Sequence, residues 1–261
     1  MTQFIFFSSP WLLPAVMLVV LGLSIELPYR FARSLVSHAL VKDDAWNTTH
    51  AGLLTLAAFI VGLSFAQASA RFDGRRALVV NEANAIGTTW LRADQLQATA
   101  ARRFRRILTD YTAARLEAYK SLGDPVLVRN AIAQSVRDQA ALWSIASSAL
   151  RAHQNNLGLS LLMQTLNDTI DVSTEQRQAL RGHVPTATVV LMLALVTLGT
   201  LATGLRFARD ASRPAILSAI FVVASVVVIS MVIDYDRPQT GLVTVDLNPI
   251  RLQLQSMQQS P

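Results

Sequence analysis

The chain has 261 residues, 52% of them hydrophobic, with a mean hydropathy of +0.37 and a formal net charge of +6. The apolar residues gather in four runs around a polar middle, which excludes an ordinary soluble domain and indicates a membrane protein with one helical insertion. There is no cysteine, so disulfides and thiolate–metal sites are excluded, and Lys42 and Lys120 are the only lysines beside many arginines. In a membrane protein such a basic balance marks cytoplasmic flanks and anionic headgroups rather than nucleic acid.

A bilayer crossing needs roughly 20 mostly apolar residues. The first stretch that qualifies runs from about Trp11 to Leu27, bracketed by Trp11 and Tyr29 as interfacial aromatics. It has no basic segment before it and no clear small-x-small cleavage site, so it is expected to be a retained helix rather than a signal peptide. The other three are Gly52–Ala68, Ala187–Leu205 and Ala215–Ile233. The last two are joined by "RFARDASRP", too short for a domain, and Pro214 suits the first turn of the fourth helix.

Residues 71–186 show helical spacing and almost no alternation of period two. Phe104, Leu108, Tyr111 and Ala118 form one stripe, and Val128, Ile132, Val136, Gln139, Trp143, Ala146 and Leu150 form another. In "SLGDPV", Gly123 can close a helix, Asp124 can cap the next and Pro125 fits its first position. Ser173, with Gln176 three residues on, predicts a further helix start. The predicted fold class is therefore an all-α membrane protein with four transmembrane helices and a long helical insertion between helices two and three. Its parts are a first helix pair (1–70), an extramembrane insertion (71–186), a second hairpin (187–235) and a C-terminal tail packing on the insertion (236–261).

Charge orients the chain only weakly. The short loops carry Arg30, Arg33, Lys42, Arg206, Arg209 and Arg213, whereas the opposite side has Arg71, Arg75, Arg76, Arg177, Arg181, Arg237 and Arg251. The positive-inside rule weighs short loops most and by a small margin points the insertion outward.

The second apolar run passes into "ASARFDGRRALVVNEANAIGTTWLR" without a turn signal. If one helix continues to about Arg92, then Ser64, Gln67, Arg71, Arg75, Glu82 and Thr89 fall within roughly an 80° sector. Two readings are open. The strip lines a shared, water-filled pore whose arginines favour anions, or it is a seam inside a bundle, with Arg75 and Glu82 paired. On the same helix Ala58, Gly62, Ala66 and Ala70 recur every four residues, and small side chains at that spacing admit a close helix, from the same chain or a second subunit.

Other candidates are weaker. Asp234 and Asp236 are spaced like the start of a calcium loop, but Gln239 and Val245 stand where glycine and the closing glutamate are required. Glu26 ends the first membrane helix, within reach of water or of Arg30. "ARRFRRILTDY" sets Arg102, Arg103, Arg105 and Arg106 around a helix, as a solvated face or a contact for anionic lipid. His38, His50, His153 and His183 have no ligand spacing, and neither a phosphate loop nor a nucleophile elbow is present. The sequence gives no sign of an enzyme, and no metal or other cofactor is expected.

"GLSFAQASARFDGRRALVVNEANAIGTTWLRADQL" resembles the signature of the bestrophin-like bacterial membrane proteins, a family defined by a domain of unknown function and distantly related to the bestrophin chloride channels. "IELPYRFAR", "LNDTIDVSTEQRQALRGHVP" and "IDYDRPQTGLVTVDLNPIRL" agree in order, so the likeness spans nearly the whole chain. The motif positions are Arg76, Glu82, Ala83, Asn84, Gly87, Thr88, Arg92, Asp234, Asp236, Arg237, Pro238 and Gly241. The resemblance implies four membrane helices, cytosolic termini and insertion, a bacterial inner-membrane location, and a homo-oligomeric (by resemblance pentameric) channel for small anions with helix two at its neck. The alternative is a non-conducting scaffold whose cytosolic helices bind a partner. The chain departs from bestrophins at Leu27 and Pro28, where a glycine-rich helix end is expected, and it lacks the acidic row that binds calcium in animal bestrophins.

Overall fold

The computed structural model describes residues 11–32, 43–182, 184–210, 214–237 and 241–259. Among these residues there is no strand. The elements are α1 (Leu12–Ala32), α2 (Asp43–Arg92), a 3-10 turn (Ala93–Gln95), α3 (Ala98–Lys120), α4 (Pro125–Ala152), α5 (Leu157–Arg181), α6 (Thr186–Arg209), α7 (Ala215–Tyr235) and α8 (Asn248–Gln259). Helices α1, α2, α6 and α7 are long and apolar enough to cross a membrane. The all-α class with four such helices and a helical insertion is therefore met.

Helix α2 has 50 residues and ends at Arg92. At 1.5 Å per residue it is about 75 Å long, far more than a bilayer requires. Nothing in its sequence stops it earlier: it contains no proline, and its glycines stand alone.

Two compact units are formed, Met1–Arg71 with His183–Arg237, and Phe72–Gly182 with Pro238–Pro261. In the first, α1 packs on α6 and α7. Its core is drawn from all four apolar helices, with Leu21, Ala68, Met192 and Ile229 fully or almost fully buried. The α1–α6 crossing is tight because Gly204 lies against the Ile25 backbone, where a Cβ would collide. Beside it the buried hydroxyls of Ser24 and Thr200 lie 2.5 Å apart. Small residues at the crossing let backbones approach and let short hydroxyls bond across it. Large apolar side chains such as Val19, Val190, Ile216 and Ile220 face outward, as suits a lipid solvent.

In the second unit, α3 packs on α4 and α8, and α4 on α5. Ile86, Phe104, Leu108, Tyr111, Leu142, Leu162 and Leu166 form its main core. A smaller cluster joins Val79 and Ala83 of α2 to Leu116 and Tyr119 of α3 and to Val245, Leu247 and Ile250 near α8. The Asp124 carboxylate accepts from the N–H groups of Val126 and Leu127, with Pro125 opening α4, as the capping sequence predicts.

Two expectations fail here, the second in part. Ser173 starts no helix: it lies inside α5 and donates to the Ile170 carbonyl. The apolar stripe assigned to α4 is met only in part: Gln139 and Ala146 are buried and Val128, Ile132 and Leu150 half-buried, but the buried face is rotated by roughly 70° from the stripe. Val136 and Trp143 are exposed, while Ser135, Asp138 and Gln139 are buried beside Ala131, Leu142 and Ala146. Polar groups can take the inner face because they find partners there: Gln139 donates to Ser173 at 2.8 Å, and Asp138 accepts from Gln134 at 2.9 Å.

Candidate functional site

The structure divides the polar strip of α2. In the membrane unit Ser64 is buried and donates to the Ile60 carbonyl, Arg71 is half-buried, and Gln67 is exposed. In the other unit Arg75, Glu82 and Thr89 are all buried by the chain's own side chains. These three therefore do not stand free to line an axis. Nor do Arg75 and Glu82 pair, as the seam reading supposed.

Arg75 instead donates through Nε to the Ala179 carbonyl at 3.1 Å and through Nη2 to that of Gly182 at 2.6 Å. The last carbonyls of α5 have no partner within their own helix, and a cation at that end suits the helix dipole. Thr89 meets Thr169 of α5 at 3.0 Å.

Glu82 is fully buried and sits at the centre of a network. Its Oε1 accepts from Arg115 Nε at 2.5 Å, and its Oε2 accepts from Arg115 Nη2 at 3.3 Å and from the Tyr119 hydroxyl at 2.8 Å. Tyr111 donates a longer bond of 3.5 Å to Oε1, and Arg115 Nη2 also donates to Gln176 Oε1 at 2.6 Å. Burial works against the Arg115 charge, but the Glu82 carboxylate outweighs it, so the guanidinium is held above its ordinary pKa. Burial first, and then the Glu82 charge, push the phenols of Tyr111 and Tyr119 upward. The arrangement holds a fixed charge pair that joins α2, α3 and α5. Sequence reasoning missed Arg115 and Tyr119 and gave Gln176 only a part in a helix start. The signal was available in Tyr111, Arg115 and Tyr119, which recur every four residues on one face of α3.

The motif positions mostly serve this packing. Ala83 is buried in the smaller cluster. Gly87 lies against Gln253 of α8, where a Cβ would stand 2.9 Å from Gln253 Oε1. Thr88 bonds back to the Asn84 carbonyl, and Arg92 donates to the Leu161 carbonyl at 2.7 Å. Arg76 and Asn84 are exposed and Gly241 is half-buried. In the membrane unit Asp236 accepts from the Val184 N–H at 2.9 Å, the Asp234 carbonyl accepts from the Arg237 N–H, and Arg237 is buried. Pro238 lies outside the described residues. Glu26 and Arg30 form an ion pair at 2.6 Å.

The open face of α2 is a different one. Ala58, Gly62, Ala66 and Ala70 are all exposed, and among the described residues nothing lies within 4 Å of where a Gly62 Cβ would stand. Phe59, Leu63 and Gln67 are exposed beside them, and further along the helix so are Ala77, Asn81 and Asn84. The centre of this face is turned roughly 140° around the helix from the buried strip.

The fold has clear relatives among solved structures. It is similar to a bacterial bestrophin homologue from Klebsiella pneumoniae, with a TM-score of 0.67 and 16% identity over 95% of this chain and 98% of that one. Two variants of that homologue give TM-scores of 0.70 and 0.68 at 15% and 18% identity, covering 97% and 95% of this chain and 100% and 98% of theirs. The chain has a bestrophin-like fold. No protein-family model and no curated protein sequence matches it. The bestrophin-like fold accounts for the order of the elements, since the similarity runs through the membrane helices and the helical insertion alike.

Proposed function

We propose that the chain is one protomer of an oligomeric, bestrophin-like channel for small anions. It resides in a bacterial inner membrane, with its termini and helical insertion in the cytosol, and it is not an enzyme. The observation that carries this reading is the open face of α2. A helix apolar enough to span a bilayer leaves Ala58, Gly62, Ala66 and Ala70, together with the amide of Gln67, uncovered among the described residues. Lipid neither fills the groove over small residues well nor solvates an amide, so a second subunit and water are the fitting neighbours.

The proposed pore lining moves accordingly, from the buried strip to Leu63, Ala66, Gln67 and Ala70. The apolar members would form a constriction, and Gln67 would mark where water meets it. Arg71 stays a candidate at the mouth. Arg75, Glu82 and Thr89 hold the helix in place from within. A non-conducting scaffold, the alternative, expects the small-residue face to be packed inside one chain, and that face is open.

The chain has no cysteine, so introduced thiols report without interference. Ala66→Cys, in reconstituted protein, is expected to react with a charged thiol reagent and lose anion flux. Ser64→Cys, buried in the chain, is expected to react slowly. Equal unreactivity at both positions would overturn the proposed lining.

A further inference from the structure

The arginine run of α3 forms the wall of a pocket, and we infer that this pocket binds a small phosphomonoester that also carries hydroxyl groups, of the size of a sugar phosphate. The pocket measures about 310 Å³, at the lower end of the roughly 300–1,000 Å³ of small-molecule sites. Arg102, Arg105, Arg106 and Thr109 line it from one face of α3, at spacings of three and four. Trp90, at the end of α2, and Met257 and Gln258 of α8 complete the wall.

Three observations point to an anion. Arg102 and Arg106 are exposed, four residues apart on one helix face, and neither has an ion-pair partner among the described residues. Like charges at that spacing repel, and an anion between them relieves the repulsion. Arg105 is already fixed: it donates to Asp94 at 2.5 Å, and its guanidinium lies 5.2 Å from the centre of the Trp90 ring. Its Nε–H is nonetheless buried without a partner. Two free planar guanidiniums beside that fixed cation match the several oxygens of a phosphate.

The hydroxyl requirement comes from the other end of the row. Asp110 also lines the pocket, one turn beyond Arg106. Its carboxylate would repel a second anionic group but accepts from a hydroxyl. Thr109 and the Gln258 amide can bond to the same part of the ligand. Bare phosphate would leave these groups without a partner in the ligand.

The test uses the full-length chain in nanodiscs of zwitterionic lipid, titrated calorimetrically with glucose 6-phosphate, inorganic phosphate and glucose. Saturable binding is expected for glucose 6-phosphate, weaker binding for inorganic phosphate and none for glucose. The double variant R102Q/R106Q, with unchanged helicity and melting temperature, is expected to weaken the sugar phosphate by about tenfold or more. Absence of saturable binding, or binding untouched by the double variant, would overturn the inference. Inorganic phosphate binding as tightly as glucose 6-phosphate would overturn the hydroxyl requirement. If phosphatidylglycerol in the nanodisc abolishes the binding, a lipid headgroup takes the pocket in preference to the sugar phosphate, and the assignment to a soluble ligand is overturned. Binding is read without ion flux, so failure here leaves the channel reading standing.

Discussion

Arg115 grips Glu82 with two nitrogens, the shorter contact being Nε to Oε1 at 2.5 Å, and the two side chains are 3% and 0% exposed. Removing one partner leaves the other charged, buried and unpaired, at a cost of roughly 3–5 kcal/mol. Glu82→Ala and Arg115→Ala are therefore each expected to destabilise the insertion by about that much. Replacing both with apolar residues of similar volume, E82L with R115M, should recover most of the loss. Denaturant unfolding in detergent, followed through helicity, measures all three.

The phenols around this pair carry a pH dependence. Tyr111 and Tyr119 titrate higher in the folded chain than in the unfolded one, because burial and Glu82 disfavour the phenolate. Their contribution to stability is full below the unfolded value of about 10 and falls as pH rises beyond it. The melting temperature should thus drop above about pH 10. In Tyr119→Phe the drop should be shallower, from a lower starting stability.

Asp138 gives the opposite lesson for a carboxylate. It is buried, one oxygen lacks a partner, and burial, with Asp110 nearby, raises its pKa. Its charged form at neutral pH is a liability. Asp138→Asn keeps an oxygen for Gln134 and should raise the melting temperature at pH 7, with the gain shrinking towards pH 4 as Asp138 takes up its proton.

Arg75 is expected to be a structural residue. Arg75→Ala removes, among its contacts, the bonds to the Ala179 and Gly182 carbonyls at the end of α5 and should cost about 1–3 kcal/mol. In flux measurements it should lower the amount of active protein without changing ion preference. A shifted preference would return Arg75 to the pore.

The open small-residue face predicts an intermolecular neighbour. Gly62→Cys should crosslink between subunits under mild oxidation, giving a dimer band on denaturing gels. Ala57→Cys, on the buried side of the same helix, should give none.

The fold was legible in the sequence because bilayer physics is blunt. Four apolar runs, an unbroken pattern through Arg92 and the Asp124–Pro125 start of α4 each have one simple cause. The site was harder. The period of α2 isolates Ser64, Arg75, Glu82 and Thr89 as one side of a helix, but a period does not say whether that side meets water or another helix. Glu82 shows the ambiguity: a strip that reads as polar lining is polar because its partners, Arg115, Tyr119 and Gln176, lie 33 to 94 positions later in the chain. Polar partners likewise rotated the face of α4, where Ser135 and Asp138 turn inward beside Gln139, which bonds Ser173, while Val136 and Trp143 face out.

The central claim is that copies of this chain enclose a path for anions along α2. Chloride efflux from proteoliposomes holding the purified protein tests it most directly. The account predicts efflux that rises with protein content, exceeds potassium flux and is blocked by Ala66→Trp. Liposomes as tight as those without protein, or efflux indifferent to Ala66→Trp, would contradict it.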